Sequence, residues 1–188
     1  MDAQTMAAAC RSTQRFVENV RDDQLPLATP CREWDVRSLL NHLVGTLALG
    51  EALMSDSMPP SAIEPGGLPA DDLLGDDPVT AYRTGVDALL AAATSDAFTR
   101  MHTTPMGEMP GVMLGGFTTL DIAVHGWDLA TATGQHPTLD DALAGEILAF
   151  ARQTITDDTR APRIDPAVVI ASTASVTDQL IGFLGRTP

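Results

Sequence analysis

An aspartate and a histidine, Asp121 and His125, lie four residues apart in a segment whose apolar positions have helical spacing. Four residues make about one helical turn, so both side chains project from the same face. A carboxylate and an imidazole placed in this way can chelate one divalent metal ion. Because a mononuclear catalytic site usually has a third protein ligand and one open coordination position, the pair predicts a site that another residue must complete.

The third ligand predicted from the sequence is His42, in the middle of another segment with helical spacing. It lies at the flank of the apolar stripe and not on the opposite face, so its side chain should point into the protein. His102 and His136 lie in predicted loops, where we expect no more than a surface role. Spacing alone leaves two ordinary alternatives open. A histidine on an apolar flank is more often a hydrogen-bonded core residue, and an Asp/His pair is often only a helix-surface contact.

Four residues beside these ligand candidates have side chains that can assist the site. Asp128 follows His125 by three residues and can bond the second nitrogen of its ring, although a hydrogen bond to a neighbouring helix or loop is equally ordinary. Trp34 and Trp127 are expected to pack around the site, and Trp127 is also close enough in sequence to line a pocket. Cys31 precedes a predicted helix, but no base is recognisable near it, so a catalytic thiol is not expected.

The spacing of apolar residues also predicts the helices that must position these side chains. Residues that commonly cap helix N-termini precede several of the helices, namely Asp35, Asp77, Thr138 and Ser175. The first predicted helix has apolar positions from Met6 to Val20. The other predicted helices run from 36 to about 54, from 78 to about 94, from about 112 to 133, from the cap at Thr138 through Ile155, and from Ser175 to Gly185.

Three other segments lack helical spacing. Residues 56 to 77 are rich in Pro, Gly, Ser and Asp and are predicted to form a long loop. We expect a short extended or hairpin-like segment between Phe98 and Met109, and one short strand from Ala167 to Ala171. There is no internal repeat, so all 188 residues are expected to form a single domain, 1–188.

The composition favours an all-α fold and excludes several classes of function. Hydrophobic residues make up 44% of the chain and aromatic residues 4%, so the core consists mainly of aliphatic residues and Met, which favour helices over a β-sandwich or barrel. The formal net charge of -14 disfavours binding to nucleic acids and anionic membranes. No segment resembles a signal peptide or approaches the roughly 18 apolar residues of a membrane span, so we expect a cytoplasmic protein with two free thiols.

Two long motifs carry a resemblance to a known family. The stretch from Thr29 to Leu43 reads TPCREWDVRSLLNHL and resembles a TPCxxWxVRxLLxHL motif. The stretch from Asp121 to Gly134 reads DIAVHGWDLATATG and resembles a (D/E)xxxHxWDLAxATG motif. Both motifs belong to the DinB-like metal-binding proteins related to mycothiol-dependent maleylpyruvate isomerase. The resemblance covers essentially the whole chain, because the C-terminal segment is also similar to that of the shorter members.

The resemblance implies a DinB-like four-helix bundle with extra short helices and a short hairpin. It also implies that His42, Asp121 and His125 together bind a divalent metal. The isomerase family commonly has Glu where this chain has Asp121, so we expect a ligand of shorter reach and a labile metal. The isomerase carries a further C-terminal domain for which 188 residues leave no room, so maleylpyruvate isomerisation itself is not expected.

Two histidines and one carboxylate around an ion occur in hydrolytic zinc sites and in non-haem iron sites, so the ligand types do not name the metal. Zinc is the first expectation and nickel the second. The resemblance favours a transferase or isomerase in which the metal activates a small thiol such as mycothiol toward an electrophilic substrate. The alternatives are a non-catalytic metal- or ligand-binding protein of the same fold, and metal-dependent hydrolysis, for which no general base is identifiable. The oligomeric state stays open, with a homodimer among the alternatives.

Overall fold

The structure is a computed structural model that describes residues 1–32, 34–57, 71–104, 107–160 and 164–188. These residues form two compact units, one of Asp2–Pro137 and one of Thr138–Pro188 together with Met1. The single domain expected over residues 1–188 stays a prediction. None of the described helices is long and apolar enough to cross a membrane. The elements are α1 (Ala3–Val17), a 3₁₀ turn (Asp22–Gln24), α2 (Val36–Met54), α3 (Pro78–Ala92), α4 (Ser95–Thr99), β1 (Met101–Thr104), β2 (Gly107–Pro110), α5 (Gly111–Ala132), α6 (Asp141–Thr154), α7 (Asp157–Arg160) and α8 (Val176–Phe183).

The four longest helices of the unit Asp2–Pro137 pack together as a bundle. α1 contacts α5 and α3, and α2 contacts the same two helices, so each helix borders two others. α2 illustrates how the sequence specifies this packing, because the residues that its helical spacing selects are all buried: Val36, Leu39, Leu40, Leu43 and Leu47. The all-α class and the four-helix bundle with short extra elements are thereby confirmed.

Side chains with oxygen acceptors determine where several helices begin. Asp35 and Asp77 cap α2 and α3 as predicted, each by accepting a hydrogen bond from a backbone N–H in the first turn. Ser175 caps α8 in the same way. The prediction that Thr138 caps α6 is wrong, because the Asp140 carboxylate accepts from two N–H groups of that helix. Asp140 directly precedes the first helical residue, whereas Thr138 lies too far back along the chain for its short side chain to reach.

The predictions for the non-helical segments have different outcomes. β1 and β2 pair as an antiparallel hairpin, which confirms the extended or hairpin-like segment. The strand predicted from Ala167 to Ala171 is wrong, since these residues are irregular and the Val168 N–H donates to the Gly182 carbonyl of α8 at 2.8 Å. An apolar run without a neighbouring strand cannot form a ladder. Of the loop predicted over residues 56 to 77, residues 58–70 lie outside the described part of the chain.

The two cysteines differ in burial, and this difference predicts a difference in reactivity. Cys10 on α1 is fully buried, whereas Cys31 is partly exposed. Burial raises the pKa of the Cys10 thiol to about 12. At that pKa, Cys10 carries roughly a thousandfold less thiolate near pH 8 than an ordinary thiol does. We therefore expect iodoacetamide to alkylate Cys31 in the native protein and to leave Cys10 unmodified, as measured by mass spectrometry.

The matched control for this labelling is Cys31→Ser, which should remove the native modification altogether. In denaturant both cysteines of the unchanged protein should react, because unfolding exposes Cys10. Native alkylation of Cys10 at a rate close to that of Cys31 would show that the core around α1 opens readily.

Candidate metal centre

The three predicted ligands meet between α2 and α5. His42 lies on α2, and Asp121 and His125 lie one turn apart on α5. The Nε2 atom of His42 is 3.0 Å from Oδ2 of Asp121, and Nε2 of His125 is 3.4 Å from Oδ1 of the same carboxylate. One ligand atom from each residue lies within 4.8 Å of the other two. The structure therefore brings together all three residues, and metal binding by them stays a prediction.

The spacing of these atoms fits a common metal ion. Two ligand atoms that each lie about 2.0 to 2.2 Å from one ion, at tetrahedral or octahedral angles, are about 3 to 3.6 Å apart. The separations of 3.0 and 3.4 Å, which end on the two different oxygens of the Asp121 carboxylate, each fall within this range. Imidazole nitrogen and carboxylate oxygen are both common zinc ligands. The Asp121 side chain keeps 34% of its surface exposed, so this side of the site is in contact with solvent.

The charges of Asp121 and His125 stabilise each other. Burial by itself raises the pKa of Asp121, but the charge of His125 and hydrogen bonds from His125 and His42 hold it well below its usual value. Burial by itself lowers the pKa of His125, but the charge of Asp121 and hydrogen bonds with Asp121, Asp128 and Cys31 raise it well above its usual value. Asp121 is therefore ionised at neutral pH, and a metal cation that binds here must displace a proton from His125.

Asp128 holds the other side of the His125 ring. Its side chain is fully buried, and its Oδ2 atom lies 3.0 Å from Nδ1 of His125. Because a carboxylate only accepts hydrogen bonds, Nδ1 carries a proton and donates a hydrogen bond to Asp128. The Nε2 atom of His125 is then the nitrogen that can offer a lone pair to a metal. Of the two roles that the sequence left open for Asp128, the structure shows the contact with His125.

Cys31 lies beside the same two residues. Its Sγ atom donates to Oδ2 of Asp128 at 3.3 Å and lies 3.6 Å from Nδ1 of His125. The expectation that no base lies near this thiol is wrong, because the segment before α2 folds against α5 and brings Cys31 to residues far along the chain. Cys31, His125 and Asp128 form a second group of nearby ligand atoms, on the Nδ1 side of the His125 ring.

His42 is held differently from His125. Its Nδ1 atom is buried and has no hydrogen-bond partner among the described residues, while its Nε2 atom lies 3.4 Å from the Thr46 hydroxyl. The Trp34 ring packs against both imidazoles, with centroid distances of 4.6 Å to His42 and 5.6 Å to His125. Trp34 is thus at the site, as predicted, and Trp127 is buried within α5. Packing against Trp34 orients the His42 ring, as the contact with Asp128 orients the His125 ring.

The remaining two histidines lie away from these ligands. His136 is exposed in the segment after α5, as expected. The surface role expected for His102 is wrong, because this residue is fully buried in β1. Its Nδ1 atom lies 3.0 Å from an Asp56 carboxylate oxygen, and its Nε2 atom lies 2.7 Å from the Ala97 carbonyl oxygen. Side chains alternate between the two faces of a strand, and the register of the hairpin turns His102 inward.

Comparison with known proteins gives two similarities. The family described as Mycothiol maleylpyruvate isomerase N-terminal domain matches residues 6–130, a range that includes the three candidate ligands. The chain is also 35% identical over 185 residues to two curated proteins of Mycobacterium tuberculosis, "Uncharacterized protein MT0763" of strain CDC 1551 / Oshkosh and "Uncharacterized protein Rv0738" of strain ATCC 25618 / H37Rv. Each alignment covers 92% of this chain and 90% of the relative. No solved structure matches the chain.

Proposed function

Because this chain belongs to the mycothiol maleylpyruvate isomerase N-terminal domain family, whose domain is DinB-like, we propose that it is a thiol-dependent transferase or isomerase. In this proposal His42, Asp121 and His125 would hold a divalent metal, which would supply the positive charge that favours the thiolate form of a small thiol of the mycothiol type, the form that attacks an electrophilic substrate. Zinc is the first choice for the metal and nickel the second, since two histidines and a carboxylate suit both ions.

The observation that supports this proposal is the meeting of three side chains of types that can bind a metal, from two helices within the region that the family matches. The distances from His42 and His125 to the Asp121 carboxylate are compatible with one ion, and the Asp121 side chain is about one-third exposed to solvent. Three protein ligands leave at least one coordination position for an incoming thiol. The mycothiol link comes from the family, and the site chemistry is compatible with it.

Each residue of the site has a part in this proposal. A bound divalent ion supplies the positive charge that favours loss of the proton from a coordinating thiol. Asp128 keeps the Nδ1 proton of His125 in place, so that Nε2 stays directed at the metal. The Trp34 ring lies against both imidazoles and shields them from water. The exposed side of Asp121 leaves room for the thiol and the electrophile to approach.

Addition of mycothiol to the cobalt-substituted protein should produce a sulfur-to-metal charge-transfer band in the near-ultraviolet absorption spectrum. The band is expected because coordination of the thiol places a thiolate sulfur directly on the metal. Cys31→Ala should keep the band, because the reacting sulfur comes from outside the protein. Metal analysis of the same sample by mass spectrometry establishes that the ion is bound.

The matched control for this experiment is mycothiol disulfide, which has no free thiol and should give no band. A band that is present before mycothiol is added and is lost in Cys31→Ala would identify an endogenous sulfur ligand instead. The absence of a band with metal demonstrably bound would overturn the thiol-dependent mechanism and favour a non-catalytic metal-binding protein of the same fold.

A further inference from the structure

Thr46 lies on α2 one turn after His42, and its hydroxyl is directed into the group of candidate ligands. Its Oγ1 atom donates to Oδ2 of Asp121 at 2.6 Å and lies 3.4 Å from Nε2 of His42. A single hydroxyl therefore touches one ligand candidate on its own helix and one on α5. Nothing in the sequence singles out this residue, because a threonine in a helix has no distinctive spacing.

The contact made by Thr46 differs from those of Thr118 and Thr119 on α5. A helical threonine commonly donates its hydroxyl to the backbone carbonyl four residues earlier. Thr118 and Thr119 on α5 both do so, with acceptors Leu114 and Gly115, and Thr133, the residue that follows α5, does so with Leu129. The Thr46 hydroxyl instead donates across the helix pair to a carboxylate, at a distance typical of a strong, charge-assisted hydrogen bond.

The α2 side of the site depends on this contact more than the α5 side does. His125 is oriented through its second ring nitrogen by Asp128, but Nδ1 of His42 has no hydrogen-bond partner among the described residues. Asp121 accepts the Thr46 hydrogen bond on Oδ2, the same oxygen that faces Nε2 of His42. Thr46 therefore supplies a hydrogen bond from α2 to the carboxylate oxygen that faces His42.

We propose that Thr46 is a positioning residue of the metal site, which holds the Asp121 carboxylate at the orientation in which it and His42 bind one ion. The inference rests on the proposed function, because it requires that the three candidate ligands hold a metal. Hydrogen-bond partners of metal ligands typically contribute tenfold to a hundredfold to metal affinity. Thr46 acts through Asp121 and does not itself bind the ion.

The test compares Thr46→Val, which keeps the shape of the side chain and removes the hydroxyl, with Thr46→Ser, which keeps the hydroxyl. Affinity for zinc is measured by competition with a chromophoric chelator, and the visible spectrum of the cobalt-substituted protein reports the ligand geometry. We expect Thr46→Val to bind zinc about 10- to 100-fold more weakly and to change the cobalt spectrum. Thr46→Ser should restore both toward those of the unchanged protein.

The matched control is Thr118→Val, which makes the same change at a buried threonine whose hydroxyl bonds only a backbone carbonyl of its own helix. Its zinc affinity should equal that of the unchanged protein. If Thr46→Val has the zinc affinity and the cobalt spectrum of the unchanged protein, the positioning role of Thr46 is overturned, whereas the proposed function is not. Failure of the unchanged protein to bind zinc or cobalt would overturn the proposed function, and the role of Thr46 with it.

Discussion

Replacement of His125 by alanine should abolish tight binding of a divalent metal, with a loss of affinity greater than about 100-fold. The change removes one of three predicted ligands, whereas loss of a residue that only supports a ligand already costs up to about 100-fold. His42→Ala should have an effect of the same size, because it removes the candidate ligand on α2. Zinc bound after dialysis against a buffer of fixed free zinc measures both effects.

His136→Ala is the matched control, since this histidine is exposed and lies away from the three ligands. It should bind zinc as the unchanged protein does. The helices have their own apolar core, so the chelated protein should stay helical by circular dichroism. Unchanged zinc affinity in His125→Ala would place the ion elsewhere. Collapse of the helical signal on chelation would mean that the metal is structural and would remove the main support for a catalytic site.

Replacement of Gly126 by alanine should lower the free energy of unfolding by about 1 to 3 kcal/mol, the usual cost of overpacking a core. A Cβ atom at this position would lie 2.2 Å from Oγ1 and 3.0 Å from Cβ of Thr13 on α1. Thr13 is fully buried, and its hydroxyl donates to the Ile122 carbonyl at 2.9 Å, so it cannot turn away without losing that hydrogen bond. α1 and α5 must therefore separate, and denaturant unfolding measures the cost.

Two further variants show whether the clash with Thr13 is the cause. Gly145→Ala makes the same change in α6, where the nearest side-chain atom, Cγ1 of Val176, would lie 3.9 Å from the new Cβ. That variant should be as stable as the unchanged protein or more stable by about 0.5 to 1 kcal/mol. Adding Thr13→Ala to Gly126→Ala should cost less than the sum of the two single changes. Strictly additive costs would contradict a direct contact between residues 13 and 126.

The features of the site that depend on neighbouring residues could be predicted from the sequence. Asp121 and His125 project from the same face because the geometry of one helix requires it. Asp35 and Asp77 cap helices because a carboxylate reaches the N–H groups of the turn that follows. His42 lies on another helix, and its spacing alone left a core role open. The resemblance of residues 29–43 to a family motif placed it with the other two.

The features that join distant segments could not be predicted in this way. Cys31 and Asp128 are far apart in sequence, and no residue near either of them in the sequence indicates their 3.3 Å contact. Thr46 has the same local context as any threonine in a helix, and only the position of α5 beside α2 directs its hydroxyl to Asp121. The burial of His102 could not be predicted from the sequence, because the pairing that buries it depends on the register of a hairpin.

The sequence by itself determined the all-α class, the main helices and the residue types that form the candidate site, because helical spacing, capping and burial of apolar faces act over a few residues. The packing of α2 and α5 decided which of those side chains meet, and which other groups contact them. That packing depends on the contacts of whole helix faces, and a hydrogen bond or a ligand separation changes with shifts of a few tenths of an ångström. The three candidate ligands could therefore be identified from the sequence, whereas the contacts of Asp128, Cys31 and Thr46 around them required the tertiary structure.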